Sequence, residues 1–261
     1  MKISVIIPSF NSAKYIAKAI ESFVAQTYEN KELVILDGIS TDETHKIIAD
    51  FCQKFPAQIK WIKEKDCGIS NARNLALKHV TGDLVGFLGC DDILHKNLFS
   101  EIAYYTKINP DFDALYFNCY HIGFSSVFQN STAIPFNKRN LVKHCPIASG
   151  ESFYYRKNLF DSFKFNEKNR YCMDYEFNMQ LASSQKSDST KYQFFPINIT
   201  AVFNQNTGIN QSSANSIKQR LETVAVQLKF CANFKEKFRI FWKAKKLILK
   251  NFSTFQQIKK I

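Results

Sequence analysis

Apolar residues along the chain change rhythm at regular intervals, and each change predicts an element. Ile3 to Ile7 is a β-branched run closed by Pro8-Ser9-Phe10-Asn11, and Ala13 to Ala25 then takes helical spacing through Ile16, Ile20 and Phe23. Leu33 to Leu36 repeats the strand signal; Asp37-Gly38-Ile39-Ser40 is a turn, and Ser40-Thr41-Asp42-Glu43 fits a capping box opening a helix to about Phe51. Ile59 to Ile62 predicts a third strand, Ile69 to Val80 a third helix, and Leu84 to Leu88 a strand that ends in Asp91-Asp92. A helix over Leu98 to Ile108 and a strand over Ala114 to Tyr120 continue the alternation; Gly123 to Pro135 reads as a hairpin or variable loop. Phe153 to Phe160 reads as strand turning into helix, Asp174 to Ala182 as helix, Ser183 to Thr190 as a polar loop and Phe194 to Phe203 as strand. Leu221 to Phe252 reads as largely helical. Strands alternating with helices imply an α/β fold around a mainly parallel, doubly wound sheet.

The run Gly82 to Asp92 carries the sharpest chemical signal. A strand apolar on both faces is covered on both, so its first polar residues emerge where ligands bind in open α/β sheets. Two adjacent carboxylates repel unless a cation or hydrogen-bond donors compensate them. An exposed turn or helix cap is the competing reading of Asp91-Asp92.

The length of 261 residues, 45% hydrophobic, suits one large α/β domain or one domain with a tail. Seven cysteines scattered from Cys52 to beyond Cys172 form no Cys-x-x-Cys pair, and the five histidines show no metal spacing, so neither a disulfide framework nor a zinc site is expected. Pro8 interrupts the first apolar run and no later stretch is long enough to span a membrane, so a cytoplasmic protein is expected. The net charge of +12 is uneven: after Ala232 nine basic residues stand against the single acid Glu236, leaving only +4 on the body. That ordinary body charge argues against nucleic acid as partner. Within the tail, Phe234, Phe238, Phe241, Ile248, Phe252 and Phe255 recur at helical intervals among lysines. A basic helix with aromatic anchors over residues 232–261 suits an anionic membrane surface; a helix packed on its own domain with a solvated lysine face is the alternative.

Six blocks in order carry a family resemblance: Ser4 to Asn11, Gln26-Thr27-Tyr28 with Glu32 to Gly38, Ser40-Thr41-Asp42, Asp66-Cys67-Gly68-Ile69, Ala72-Arg73-Asn74 and Phe87 to Asp92. Together they resemble the N-terminal half of family 2 glycosyltransferases with the GT-A fold. The likeness covers Met1 to about Ile102 closely and Ser149 to Ala182 more loosely. It implies a catalytic domain over 1–210, with a nucleotide-sugar-binding half (1–105) and an acceptor-side half (106–210), followed by basic amphipathic helices over 211–261.

By that resemblance, Pro8, Ser9 and Asn11 at the end of the first strand, with Asp37, hold the nucleotide base, and Asp37 suits the imide hydrogen of a uracil. Many members read Asp-Asp-Gly-Ser where this chain has Asp37-Gly38-Ile39-Ser40. Asp66 and Gly68 contact the nucleotide, and the forked donors of Arg73 reach toward its diphosphate. Asp91-Asp92 takes the place of the Asp-x-Asp motif, with Gly89 where many members have its first Asp. Asp92 then binds Mg²⁺ or Mn²⁺, and Asp91 the ribose or the same cation. Asp174 is the general base for an acceptor hydroxyl in an inverting transfer, with Glu176 as fallback; Met173 and Gln180 depart from the family's Glu-Asp and Arg. The expected activity is metal-dependent transfer from a nucleotide sugar, a UDP-sugar above all, to a glycan or lipid-linked acceptor in bacterial polysaccharide synthesis. A nucleotidyltransferase and a non-catalytic basic binding module on a degenerate transferase fold are the alternatives. The former would want a Gly-rich basic loop after the first strand, which Pro8 to Asn11 is not.

Overall fold

A computed structural model describes residues 1–121, 135–143, 150–186, 188–204, 213–231 and 233–242. The first half alternates β1 (Ile3–Ser9), α1 (Ile16–Val24), β2 (Lys31–Asp37), α2 (Thr44–Lys54), β3 (Ile59–Lys63), α3 (Ile69–Leu77) and β4 (Leu84–Phe87). The short β5 (Ile93–Leu94), α4 (Leu98–Ile108), β6 (Ala114–His121) and α5 (Lys138–Lys143) follow, then β7 (Phe153–Arg156), α6 (Leu159–Ser162), α7 (Met173–Ser183), β8 (Phe194–Asn204) and α8 (Ser213–Phe230). Residues 234–242 are again helical. Among the described residues no helix is long and apolar enough to cross a membrane.

The eight strands among the described residues form one sheet in the order β3-β2-β1-β4-β7-β6-β8-β5. The β3-β2-β1-β4 half is parallel, while β7 runs antiparallel to both β4 and β6. β1 alternates in the sense its sequence predicts: Ile3, Val5 and Ile7 are buried with Ile16, Ile20 and Phe23 of α1 and Phe99 of α4, whereas Ile6 joins Ala72 and Ala76 of α3 and Phe177 of α7. Apolar cores therefore lie on both faces of the sheet, which explains why its strands read as nearly continuous hydrophobic runs.

Two local expectations differ. Ser40 caps no helix, because its hydroxyl donates to Asp37 at 2.5 Å; α2 begins later, at Thr44, whose amide bonds Asp42 at 3.0 Å. The predicted helix over Leu221 to Phe252 instead starts at Ser213 and ends at Phe230, before helix resumes at 234; its residues 243–252 lie outside the described residues. Most of the proposed hairpin over Gly123 to Pro135 lies outside the described residues.

Candidate active site

The sheet order reverses at β1, which has β2 on one side and β4 on the other, and ligands in open α/β sheets bind beyond the carboxyl ends at such a point. Ser9 ends β1 directly beside Asp37, which ends β2. Asp37 is buried and accepts the amide of Ser40 at 3.1 Å as well as its hydroxyl. Asn11, at φ 47°, donates its amide to the Ser40 hydroxyl at 2.9 Å and accepts the Thr41 amide at 2.8 Å. These bonds fix the loops after β1 and β2 to one another, leaving the Phe10 and Ile39 side chains exposed at their tips.

Asp66 folds over Gly38 and accepts the Gly68 amide at 2.7 Å; a methyl group on Gly38 would collide with its carboxylate. This close approach explains the Gly at the second place of Asp37-Gly38. Gly68 itself, at φ 120°, opens α3 in a conformation that side chains rarely adopt.

Beyond β4, the half-buried Cys90 donates its thiol to the Pro8 carbonyl at 3.0 Å, tying the Asp91-Asp92 loop to the end of β1. Burial pushes that thiol up to about 11, so it stays a neutral donor. Asp92 is buried and accepts the Asn204 side-chain amide at 3.3 Å. A Cβ built on Gly89 would stand 2.6 Å from Asp92 Oδ2 and 3.1 Å from Asp91 Oδ1, so both carboxylates lean over this glycine. A first Asp at position 89 would displace the Asp92 carboxylate. Among the described residues no three His, Cys, Asp or Glu side chains form a metal cage. Two carboxylates over a bare glycine nonetheless fit Mg²⁺ or Mn²⁺, hard cations that take one or two protein carboxylates and complete their shell with substrate phosphates and water.

Arg73, which the resemblance assigns to the diphosphate, is a buried residue of α3. Its side chain is 2% exposed, with the guanidinium 4.7 Å from the Phe87 ring and 5.2 Å from that of Phe165. Its Nη1 donates to Asp174, and Nη2 lies 3.7 Å from Glu151. The fork therefore faces two carboxylates from the second half of the chain. Asp174 stands in the first turn of α7 and lies flat against Gly150, where any side chain would strike its carboxylate. At 23% exposure it keeps an open side.

Glu176, two residues on, faces elsewhere. It is 3% exposed and accepts Asn166 at 2.9 Å, Asn169 at 3.0 Å and Lys229 at 2.8 Å. Desolvation favours its neutral form, but the bonds from Lys229, Asn169 and Asn166 outweigh it and hold the carboxyl below its ordinary range. Glu222 of α8 accepts the amides of Arg170 at 3.2 Å and Tyr171 at 2.8 Å, just before α7. Together these contacts make α8 the brace of the segment carrying Asp174. Sequence reasoning missed Glu151, Gly150, Asn204 and this brace; each acts across the fold, and only the short phrase Gly150-Glu151-Ser152 before β7 offered a local signal.

The architecture is that of GT-A transferases. It superposes on Staphylococcus aureus TarS residues 1–349 in complex with UDP-GlcNAc with a TM-score of 0.70, at 21% identity, covering 94% of this chain and 71% of that one. The mannosyltransferase PcManGT from Pyrobaculum calidifontis, in complex with GDP-Man and Mn²⁺, gives 0.66 at 17% identity over 93% and 69%. The Glycosyl transferase family 2 model matches residues 4–164, and the chain belongs to that family. Sequence relatives include the poly(ribitol-phosphate) beta-N-acetylglucosaminyltransferase TarS of S. aureus, 33% identical over 105 residues, and the minor teichoic acid biosynthesis protein GgaA of Bacillus subtilis, 29% identical over 195 residues. These matches take in 40% and 70% of this chain but only 18% and 44% of the relatives, so the chain spans less than half of either.

Proposed function

We propose that the chain moves a sugar from a nucleotide donor, UDP-linked in the first instance, to a hydroxyl of a glycan or lipid-linked acceptor in the synthesis of a bacterial surface polysaccharide. The names of TarS and GgaA and the UDP-GlcNAc bound to TarS support the donor and the pathway class. Pro8, Ser9, Asn11 and Asp37 receive the base, with Asp37 accepting the imide N–H; Asp66 and Gly68 border the nucleotide, and Asp91 meets the ribose. Asp92, with Asp91, would hold Mg²⁺ or Mn²⁺, which supplies positive charge for the departing diphosphate.

Asp174 is the base. It takes the proton of the acceptor hydroxyl while that oxygen bonds to the anomeric carbon and the bond from that carbon to the diphosphate oxygen breaks on the opposite face, inverting the configuration. Arg73 positions Asp174, and Gly150 lets the carboxylate lie against the chain beside it. Glu176 is occupied as a structural anchor. The observation that carries this reading is the Arg73–Asp174 pair, which holds a carboxylate with one open side to a guanidinium packed on Phe87 at the end of β4. The test is a panel of nucleotide sugars, followed by thermal stabilisation and by release of free nucleotide. One UDP-sugar should raise the melting temperature and be turned over; a panel with no response would end this reading.

A further inference from the structure

The helical segment 234–242 divides its side chains sharply. Ile240 is 4% exposed and belongs to the core shared with α7, so the segment lies on the body by one side. Phe234, Phe238 and Trp242 follow at four-residue steps on the opposite side, 82%, 55% and 45% exposed, with ring centroids 6.4 and 6.2 Å apart. Phe241 adjoins them, also exposed. At 3.6 residues per turn, exposed Lys237 falls along one edge of this aromatic ridge and exposed Lys235 and Arg239 along the other, while Glu236 is turned inward beside Ile240.

We propose that this ridge is a docking surface for an anionic lipid bilayer, with the helix lying parallel to the membrane plane, its rings among the acyl chains and its cations at the headgroups. Four large rings on one side of a helix that is anchored on the other form the apolar face of an interfacial helix, and cations on both edges match a negatively charged plane. A second copy of the chain suits the ridge poorly, since an isologous contact would bring the two cationic edges together. Residues 243–261 add six lysines and no acid, so the sequence next to the ridge strengthens the same attraction. The proposal stands apart from the transferase reading, because it uses none of the residues assigned to the transfer and is read without turnover.

The experiment is co-sedimentation of the full chain with vesicles of equal phosphatidylglycerol and phosphatidylcholine, and with pure phosphatidylcholine. Emission of Trp242 is followed in a Trp61→Phe background. Strong binding to the anionic vesicles alone and a blue shift of Trp242 are expected. Replacing Phe234, Phe238 and Phe241 together by Ser should weaken binding at least tenfold, and Lys235, Lys237 and Arg239 together by Gln about a hundredfold, at roughly fivefold per cation. UDP titrations should be unchanged in both variants. The proposal is overturned if the wild-type chain ignores anionic vesicles, if neither variant differs from it, or if Trp242 is already blue-shifted and unmoved by lipid, as when residues 243–261 cover it. It is equally overturned if the aromatic variant changes only oligomeric state.

Discussion

Asp37 and Asp174 are both acids that the resemblance places in the site, yet they are held in opposite ways. Asp37 ends a strand beside Ser9, and its carboxylate accepts the amide and hydroxyl of Ser40, three residues away. Asp174 is bonded to Arg73 at a separation of 101 residues, with Glu151 on the same guanidinium and α8 bracing the segment before it. A site built from adjacent strand ends needs only the sheet to form. One built across the fold needs α3, the turn at Gly150, α7 and α8 in place together. The strand-end site around Asp37 should therefore tolerate loss of a side chain as a local event, whereas damage around Asp174 should spread.

The strongest way to break this contrast is Asp174→Asn. Transfer should fall at least a hundredfold while UDP affinity stays within twofold, measured by turnover and calorimetry on the same preparation; retained transfer would assign the base elsewhere. Next is Arg73→Met, which leaves Asp174 and Glu151 without their shared cation. It should cost about 3 kcal/mol in urea unfolding, the lower end for a broken buried pair because Asp174 is partly open. Asp37→Asn should be milder, lowering UDP affinity about tenfold, the worth of one charge-assisted bond, with unfolding unchanged.

The smallest effect is in acid. Glu32 fastens β2 to Lys2, Ser4 and Thr81; burial opposes its charge, but bonds from these three groups prevail and hold its carboxyl at about 2. A folded-state value below the ordinary 4.5 means that its contribution is complete above that range and fades as pH falls toward 2. Glu32→Gln should flatten the stability profile in that window, and Lys229→Met should do so through Glu176. Chemical denaturation at stepped pH would compare the two halves directly.

The same contrast governs what the sequence makes legible. β1, β2, β3 and β4, and the acids at their ends, stand in short runs whose apolar pattern and terminal residues are contiguous, so strand and site are read together. Gly38 and Gly89 look in sequence like simple departures from a motif. Their reason, a carboxylate lying over each, needs Asp66 and Asp92 brought back in space. Arg73 has the spacing of a solvated helix residue and is instead buried between Phe87 and Phe165, because its partners lie in the other half of the chain. The two-residue β5 is too short to carry a period, and the aromatic spacing of the tail could not tell a packed face from an open one until Ile240 proved to be the anchor.

The proposed nucleotide site lies at the ends of β1, β2 and β4, with a cation proposed at Asp91 and Asp92. Calorimetric titration of UDP with and without Mn²⁺, on the wild-type chain and on Asp92→Asn, tests it most directly. UDP should bind more tightly with Mn²⁺, and the Asp92→Asn variant should lose that gain while keeping metal-free binding. No UDP binding under either condition, or a metal effect undiminished in the variant, would contradict it.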